Sequence, residues 1–457
     1  MEKKGSAEKA VRKIRSVRIL QRPHRTRVLL KAALLAAAGC HEEPPSGVRV
    51  VLITLDTLRY DRLSAEPDAA PKMPRVAERA RRGLAFRHSY ASTPETQPTH
   101  ATLFTALHPW EHGITTNGAV LRPEVVTVAE ILKAQGFQTA AVVASFPLHH
   151  RFGFGQGFDT FVDDFTHADK RRWEGIELKG QAFHSLADVV TDRAIDLLDD
   201  STAEKQFFWF HYFDPHAPYG DEHESPMRLA WLIGQARNRN PEALDLVRAA
   251  RRLYDEDVAR LDRSLDRLLA RLEADGMETH VVLTSDHGES LGEGGFLGHG
   301  KHVTREQVRV PLVILSPRVE AEVRADTAGS IDVTATLLSL ASVANAVPQG
   351  RDLTAPPTVR PEAVLGMRRT FDAATNDFRL GMVGAGGGRG HGLWRGRAPG
   401  RPRVERARRR GHPGGAGGDG RARPVRRALV PGPGGLGGDT VIELHASRRV
   451  PDPGLGR

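Results

Sequence analysis

A single cysteine, Cys40, stands in a chain of 457 residues. No disulfide can therefore form within the chain, and a disulfide-stapled fold is excluded. No apolar run approaches the ~20 residues that a membrane-spanning helix needs. The run before Cys40, VLLKAALLAAAG, is short and is interrupted by Lys31. Aromatic residues make up only 6% of the chain, yet five of them crowd into one stretch, QFFWFHY at 206–212. Acidic residues are scarce at both ends. Residues 1–39 hold 2 against 11 Lys and Arg, and residues 385–457 hold 5 against 16. The formal net charge of +9 thus belongs to the termini, and the region between them carries about eleven net negative charges. A nucleic-acid partner is not expected from that distribution.

What remains is ample for a core. Apolar residues are 40% of the sequence, enough for one large α/β domain with an appendage or for two domains. Ahead of that core, Arg22, Arg25 and Arg27 lead into the short apolar run, then Ala37-Ala38-Gly39-Cys40, then the polar HEEPPSG. A charged segment, a short apolar segment and small residues before the cut describe a secretory leader. The Cys directly after them resembles the acylated cysteine of bacterial lipoproteins, although Ala37 stands where Leu is usual. Residues 1–39 therefore read as a leader and 40–47 as a linker. The expected location is exported, periplasmic or in the cell envelope, held to the membrane through a lipid anchor at Cys40.

From residue 48 the pattern alternates. VRVVLITL, 48–55, is β-branched and almost wholly apolar, as suits a strand covered on both faces, and it ends at Asp56. A short helix from Met73 stops at Gly83. Another amphipathic helix at 125–136 ends at Gly136, and QTAAVVA, 138–144, reads as a strand. A helix at 184–200 precedes the aromatic strand 206–212, which runs into Asp214 and His216. Residues 224–274 read as one or two helices, whose stripe of Leu253, Val258, Leu261, Leu265 and Leu268 belongs to the core. The strand 279–284 runs into Asp286-His287, 308–315 reads as a further strand, and 332–340 as a helix. Alternation of this kind predicts a mainly parallel sheet whose strand ends converge on one edge, where such sheets bind ligands. Beyond about Val383 the sequence is Gly, Arg and Pro with little periodicity, and only VIELHAS near its end reads as a strand. Residues 383–457 are expected to be a disordered basic tail or a frame-shifted C-terminus.

The stretch TPETQPTHATLFTALHPWEHGITTNG, 93–118, is the chemical centre. Thr96 stands just before Pro98 at the start of a helical run, where backbone N–H groups favour an anion. Asp56, Thr96, Asp286 and His287 together offer oxygen and imidazole donors for one divalent ion: Ca, Mg, Mn or Zn. An ion touching the Thr96 hydroxyl would activate it as a nucleophile. His211, inside the aromatic strand, reads as a hydrogen-bonded core histidine, and His149-His150 as a surface pair.

VLITLDTLRYD, TQPTHATLFTALHP with EHGI, FHYFDPHAPY, TSDHGESLGE with GHGK, and QVRVPLVILSP follow one another in the order of the sulfatase family's motifs, within the alkaline phosphatase superfamily. The resemblance covers about Val50 to Leu353. It implies an α/β/α sandwich around a mainly parallel sheet over residues 48–382, with the C-terminal subdomain missing or abnormal. It also implies metal ligation by Asp56, Asp286 and His287 with Thr96 as nucleophile, and an Asn117 that binds a non-bridging oxygen. His216 falls at a substrate or leaving-group histidine, and His299 and Lys301 in a region that supplies further contacts. A second metal, held by Asp214 with His216 and His299, is the alternative to a single ion. This chain departs from the family in Thr96, since Cys or Ser is usual there and is oxidised to formylglycine, which threonine cannot yield. His100 stands in place of Arg, and Thr57 in place of a second carboxylate. Sulfate or phosphate esters of small molecules, glycans or lipids are the expected substrates, and the departure at Thr96 points towards phosphate esters or phosphodiesters. A phosphoryl head-group transferase and an inactive binding protein are the rival readings.

Overall fold

The computed structural model describes residues 47–357 apart from 67–69, 169, 221–240, 294–295, 301–302, 345–346 and 348, and three strands beyond them. An eight-stranded sheet forms the centre. In chain order its strands are β1 (Val48–Leu55), β2 (Leu84–Tyr90), β3 (Gln138–Val142), β4 (Thr160–Val162), β5 (Lys205–Tyr212), β6 (Glu278–Ser285), β7 (Leu312–Leu315) and β8 (Glu322–Gly329). Across the sheet they lie in the order β8-β2-β7-β6-β1-β5-β3-β4. Only β7 runs against the rest, pairing antiparallel with β6 and β2. The mainly parallel sheet expected from the sequence is therefore present. Strands β2 and β8 had no clear signal: Arg87 and His88 break the apolar run of one, and the other, EVRADTAG, is a charged edge strand.

The helices are α1 (Pro74–Ala80), α2 (Thr96–Thr105), α3 (Val128–Ala134), α4 (Ala187–Asp200), α5 (Pro241–Glu273) and α6 (Val333–Leu340). They make two layers. α1 and α4 pack on the long α5, whereas α2, α3 and α6 pack on one another. The stripe on α5 is buried from Tyr254 through Val258, Leu261 and Leu265 to Leu272, as its 3.6-residue spacing demands. α1 has no side-chain cap of its own; Asp262 of α5 accepts from the Val76 N–H at 2.9 Å and satisfies it. Among the described residues no helix is long and apolar enough to cross a membrane.

β1 is buried along almost its whole length, with a charged exception near its start. The Arg49 guanidinium, 1% exposed, donates to Gln206 Oε1 at 2.7 Å and pairs with Asp275 at 2.7 Å. A buried cation is tolerable only with such partners. At the far end β1 lies in parallel register with both neighbours, Leu55 opposite Tyr212 of β5 and opposite Ser285 of β6. The residues that follow, Asp56, Phe213 and Asp286, therefore leave the sheet side by side.

Past residue 357 the described backbone is an antiparallel sheet of β9 (Val364–Arg369), β10 (Phe378–Val383) and β11 (Val441–His445). The strand read in VIELHAS is thus found. The rest of the tail, the leader and Cys40 lie outside the described residues.

Candidate active site

The edge where β1 and β6 end carries four buried donor atoms with no hydrogen-bond partner: both oxygens of Asp56, Asp286 Oδ2 and His287 Nε2. His287 Nε2 lies 3.8 Å from Asp56 Oδ1 and 3.6 Å from Asp286 Oδ2. The other half of each of two groups is tied down. Asp286 Oδ1 accepts from the Thr57 and His287 N–H groups at 3.2 and 2.7 Å. His287 Nδ1 sits 3.0 Å from the Gly288 carbonyl, so its proton is there and the Nε2 lone pair faces the carboxylates. Burial pushes the Asp56 carboxyl up to about 7 against the pull of His287, and raises Asp286 as well. Converging donors, those of Asp286 and His287 oriented by a second bond and all costly to leave unpaired, fit a divalent ion bound by Asp56, Asp286 and His287. Gly288 permits the close approach of the Glu306 backbone behind them, because a Cβ there would come within 2.2 Å of the Glu306 carbonyl oxygen.

Thr96 is the first residue of α2, a helix with all ten residues buried. Its N-cap residue, Glu95, makes no side-chain cap. Instead the Gln97 N–H donates to Asn117 Oδ1 at 3.0 Å. That bond fixes the amide: with Oδ1 accepting, the Asn117 NH2 is the end left to reach a bound anion. Glu95 holds the same turn by accepting from the Thr116 hydroxyl and the Asn117 N–H at 3.0 and 3.1 Å. Thr57, where the family has a second carboxylate, has left-handed backbone with φ 58° and a buried hydroxyl without a partner.

His100 does not replace the family's arginine as a cation. Burial pulls it down to about 3. A relay holds it neutral: Trp209 Nε1–H donates to Thr54 Oγ1 at 2.9 Å, the Thr54 hydroxyl lies 3.0 Å from His100 Nε2, and His100 Nδ1 lies 2.8 Å from the Thr96 carbonyl. His100 thereby braces the backbone of Thr96. His211 is buried and its Nδ1 accepts from the Ala144 N–H at 3.2 Å, in keeping with a core histidine, yet its Nε2 has no partner and stands 3.7 Å from Asp56 Oδ2.

A second wall is made of imidazoles. The His299 ring lies 4.4 Å from that of His287 and 5.1 Å from that of His216, and His216 stacks on Phe213 at 4.4 Å. His216 Nδ1 lies 2.6 Å from the Ala217 carbonyl, and burial keeps the ring well below its ordinary value. Burial would lower His299 too, but Glu289, 3.2 Å away, overrides it and raises the group. Glu289 had no role in the sequence reading, although it is two positions past His287 in DHGE. Asp214 points elsewhere: burial, then Asp257 of α5, push it up to about 7, and Arg260 is its nearby cation. It is not among the donors gathered around Asp56. Lys301 lies outside the described residues. Lys170 was also unforeseen; its ammonium sits 4.0 Å over the Phe183 ring and its charge is felt at Asp56 and His216. His149 and His150 both face Asp163, at 3.5 and 2.7 Å.

An α/β/α sandwich thus brings two carboxylates and an imidazole together at the carboxyl edge of its sheet. Residues 49–343 match the sequence profile of the sulfatase family, and the chain belongs to that family. An ulvan-active sulfatase of Formosa agariphila is 25% identical over 328 residues, which are 68% of this chain and 64% of that protein. The chain thus spans just under two thirds of that relative's length. Among solved structures, a 2-O GAG sulfatase superposes with a TM-score of 0.59 at 17% identity, over 75% of this chain and 81% of that one. A phosphonate monoester hydrolase of Silicibacter pomeroyi superposes with a TM-score of 0.54 at 18% identity, over 74% and 86%. These superpositions establish the alkaline-phosphatase-like fold.

Proposed function

We propose that the chain is a metal-dependent hydrolase of sulfate or phosphate esters in which Thr96 is the nucleophile. The observation that carries the reading is the set of four partnerless donor atoms of Asp56, Asp286 and His287 at the sheet edge, where His100 Nδ1, 2.8 Å from the Thr96 carbonyl, lies 3.7 Å from Asp286 Oδ2. A divalent ion held there would polarise the Thr96 hydroxyl and offset charge on the attacked group. Thr96 gives its hydroxyl proton to solvent and its Oγ forms a bond to the sulfur or phosphorus as the ester bond breaks, while the Asn117 NH2 donates to a non-bridging oxygen. His299, which Glu289 raises, gives the departing alkoxide its proton with His216 beside it, and water then attacks the covalent threonine ester to release the anion. Relatives named for ulvan and GAG sulfate groups, and one named for phosphonate monoesters, support anionic esters of glycans or small molecules as substrates. Among described residues Asp214 stands apart from the donor set, which favours one ion over two.

The test is turnover of aryl sulfate, aryl phosphate and aryl phosphodiester with Ca, Mg, Mn or Zn, beside Thr96→Ala. Turnover of at least one ester is expected to fall by about a thousandfold or more in the variant and to be lost to a chelator. A variant as active as the wild type would refute the nucleophile assignment.

A further inference from the structure

His211 stands inside FHYFDPHAPY but has no role in what the family resemblance implies, yet the fold aims it at the metal-ligating edge. On β5 it lies in register with Thr54 of β1. Side chains two apart on a strand share a face, so Asp56, two residues past Thr54, emerges on the side His211 occupies. The ring is wedged between neighbours, its centroid 5.2 Å from His100 and 6.3 Å from Trp209.

Its protonation pattern follows from one bond. The Ala144 N–H donates to Nδ1 at 3.2 Å, so Nδ1 presents a lone pair and the proton of the neutral ring is on Nε2. Nε2 is therefore a donor and not a metal ligand. It is fully buried, has no partner, and lies 3.7 Å from Asp56 Oδ2, itself without a partner. A buried N–H and a buried carboxylate facing one another are about 0.5–1 Å short of a charge-assisted hydrogen bond.

We propose that His211 is a positioning residue whose Nε2–H donates to Asp56 Oδ2 and holds that carboxylate in the orientation that binds the divalent ion. The inference rests on the ion-binding part of the proposed function. With Oδ2 engaged by the imidazole, Oδ1, the oxygen nearer His287, is left to the ion. Carboxylate ligands are commonly oriented in this way, and losing the outer partner typically weakens metal binding 10- to 100-fold.

The experiment measures the affinity of the full chain for Mn and Zn ions by competition with a chromophoric chelator, after the chain has been stripped of metal. Wild type is compared with His211→Gln, whose amide N–H reaches where Nε2–H does, and with His211→Leu and His211→Phe, which offer no donor. Affinity is expected to fall about 10- to 100-fold in the Leu and Phe variants and to stay within a few-fold of wild type in the Gln variant. The Phe variant keeps the aromatic packing against Trp209 and His100 and serves if the Leu variant does not fold. Leu and Phe variants that bind like wild type would overturn the inference alone. So would a Gln variant as weak as Phe, since the ring and not its N–H would then matter. A wild-type chain that takes up no stoichiometric ion would overturn both this inference and the reading beneath it.

Discussion

Substituting Asp56 by Asn separates stability from function in a way that the burial of this site predicts. In the metal-free chain the folded Asp56 carboxyl is pushed from 3.8 up to about 7, chiefly by burial. The folded state then holds the Asp56 proton more tightly than the unfolded state does. This favours folding at low pH, and the advantage is lost as pH rises from near 4 through 7. A tenfold change in proton affinity is worth about 1.4 kcal/mol, so the charged carboxylate costs the native state about 4 kcal/mol at pH 8.5 and under about 2 kcal/mol at pH 5. Asp56→Asn removes that charge and relieves Asp286, which Asp56 also raises. Urea unfolding of the chelator-treated full chain should therefore show the variant more stable than wild type by about 4 kcal/mol at pH 8.5, with the gap shrinking as pH falls. Adding Mn or Zn at a hundred times the wild-type dissociation constant should stabilise wild type by about 2.7 kcal/mol and the variant far less. A metal-free variant no more stable than wild type at pH 8.5 would refute the claim that these carboxylates are held uncompensated.

Thr54→Val keeps the shape of its side chain but leaves the Trp209 N–H and His100 Nε2 without partners, which should cost about 2 kcal/mol or more in urea unfolding; an unchanged midpoint would dissolve the relay. The proposed lipid anchor at Cys40 predicts that Cys40→Ser releases the expressed protein from the membrane fraction of an envelope preparation, and a variant that stays with the membrane counts against it.

Much of the fold was legible because its inner strands are long, apolar and punctuated by acids: β1, β5 and β6 each announce themselves and the residues that follow them. Asp56, Thr96, Asp286 and His287 stood out as candidates for the same reason, since each stands where an apolar run stops or a helix starts. The two strands at the β8 end of the sheet were not readable. β8 is charged because one side of it faces no other strand, and β2 mixes Arg87 and His88 into its run. At the site, His211 carries two characters at once, a core bond through Nδ1 and an unmet donor at Nε2, and periodicity registers only the first. Asp214 shows the converse. Adjacent to a site motif in sequence, it feels Asp257 and Arg260 of α5 and is not among the donors gathered around Asp56. Lys170 comes from a loop, where sequence carries no periodic signal at all.

The polar tether of Arg49 takes on another meaning beside the site at the opposite end of the same strand. A strand that is apolar on both faces loses little burial when it slides by one position, because oil replaces oil. Yet a one-residue slide carries Asp56 about 3.3 Å along and turns it to the other side of the sheet. The hydrophobic core by itself is thus nearly indifferent to where the catalytic edge falls. Arg49, locked to Gln206 on one neighbour and to Asp275 just ahead of the other, counts the residues from which Asp56 is measured. In this chain a guanidinium buried far from the chemistry works as the zero mark of a ruler.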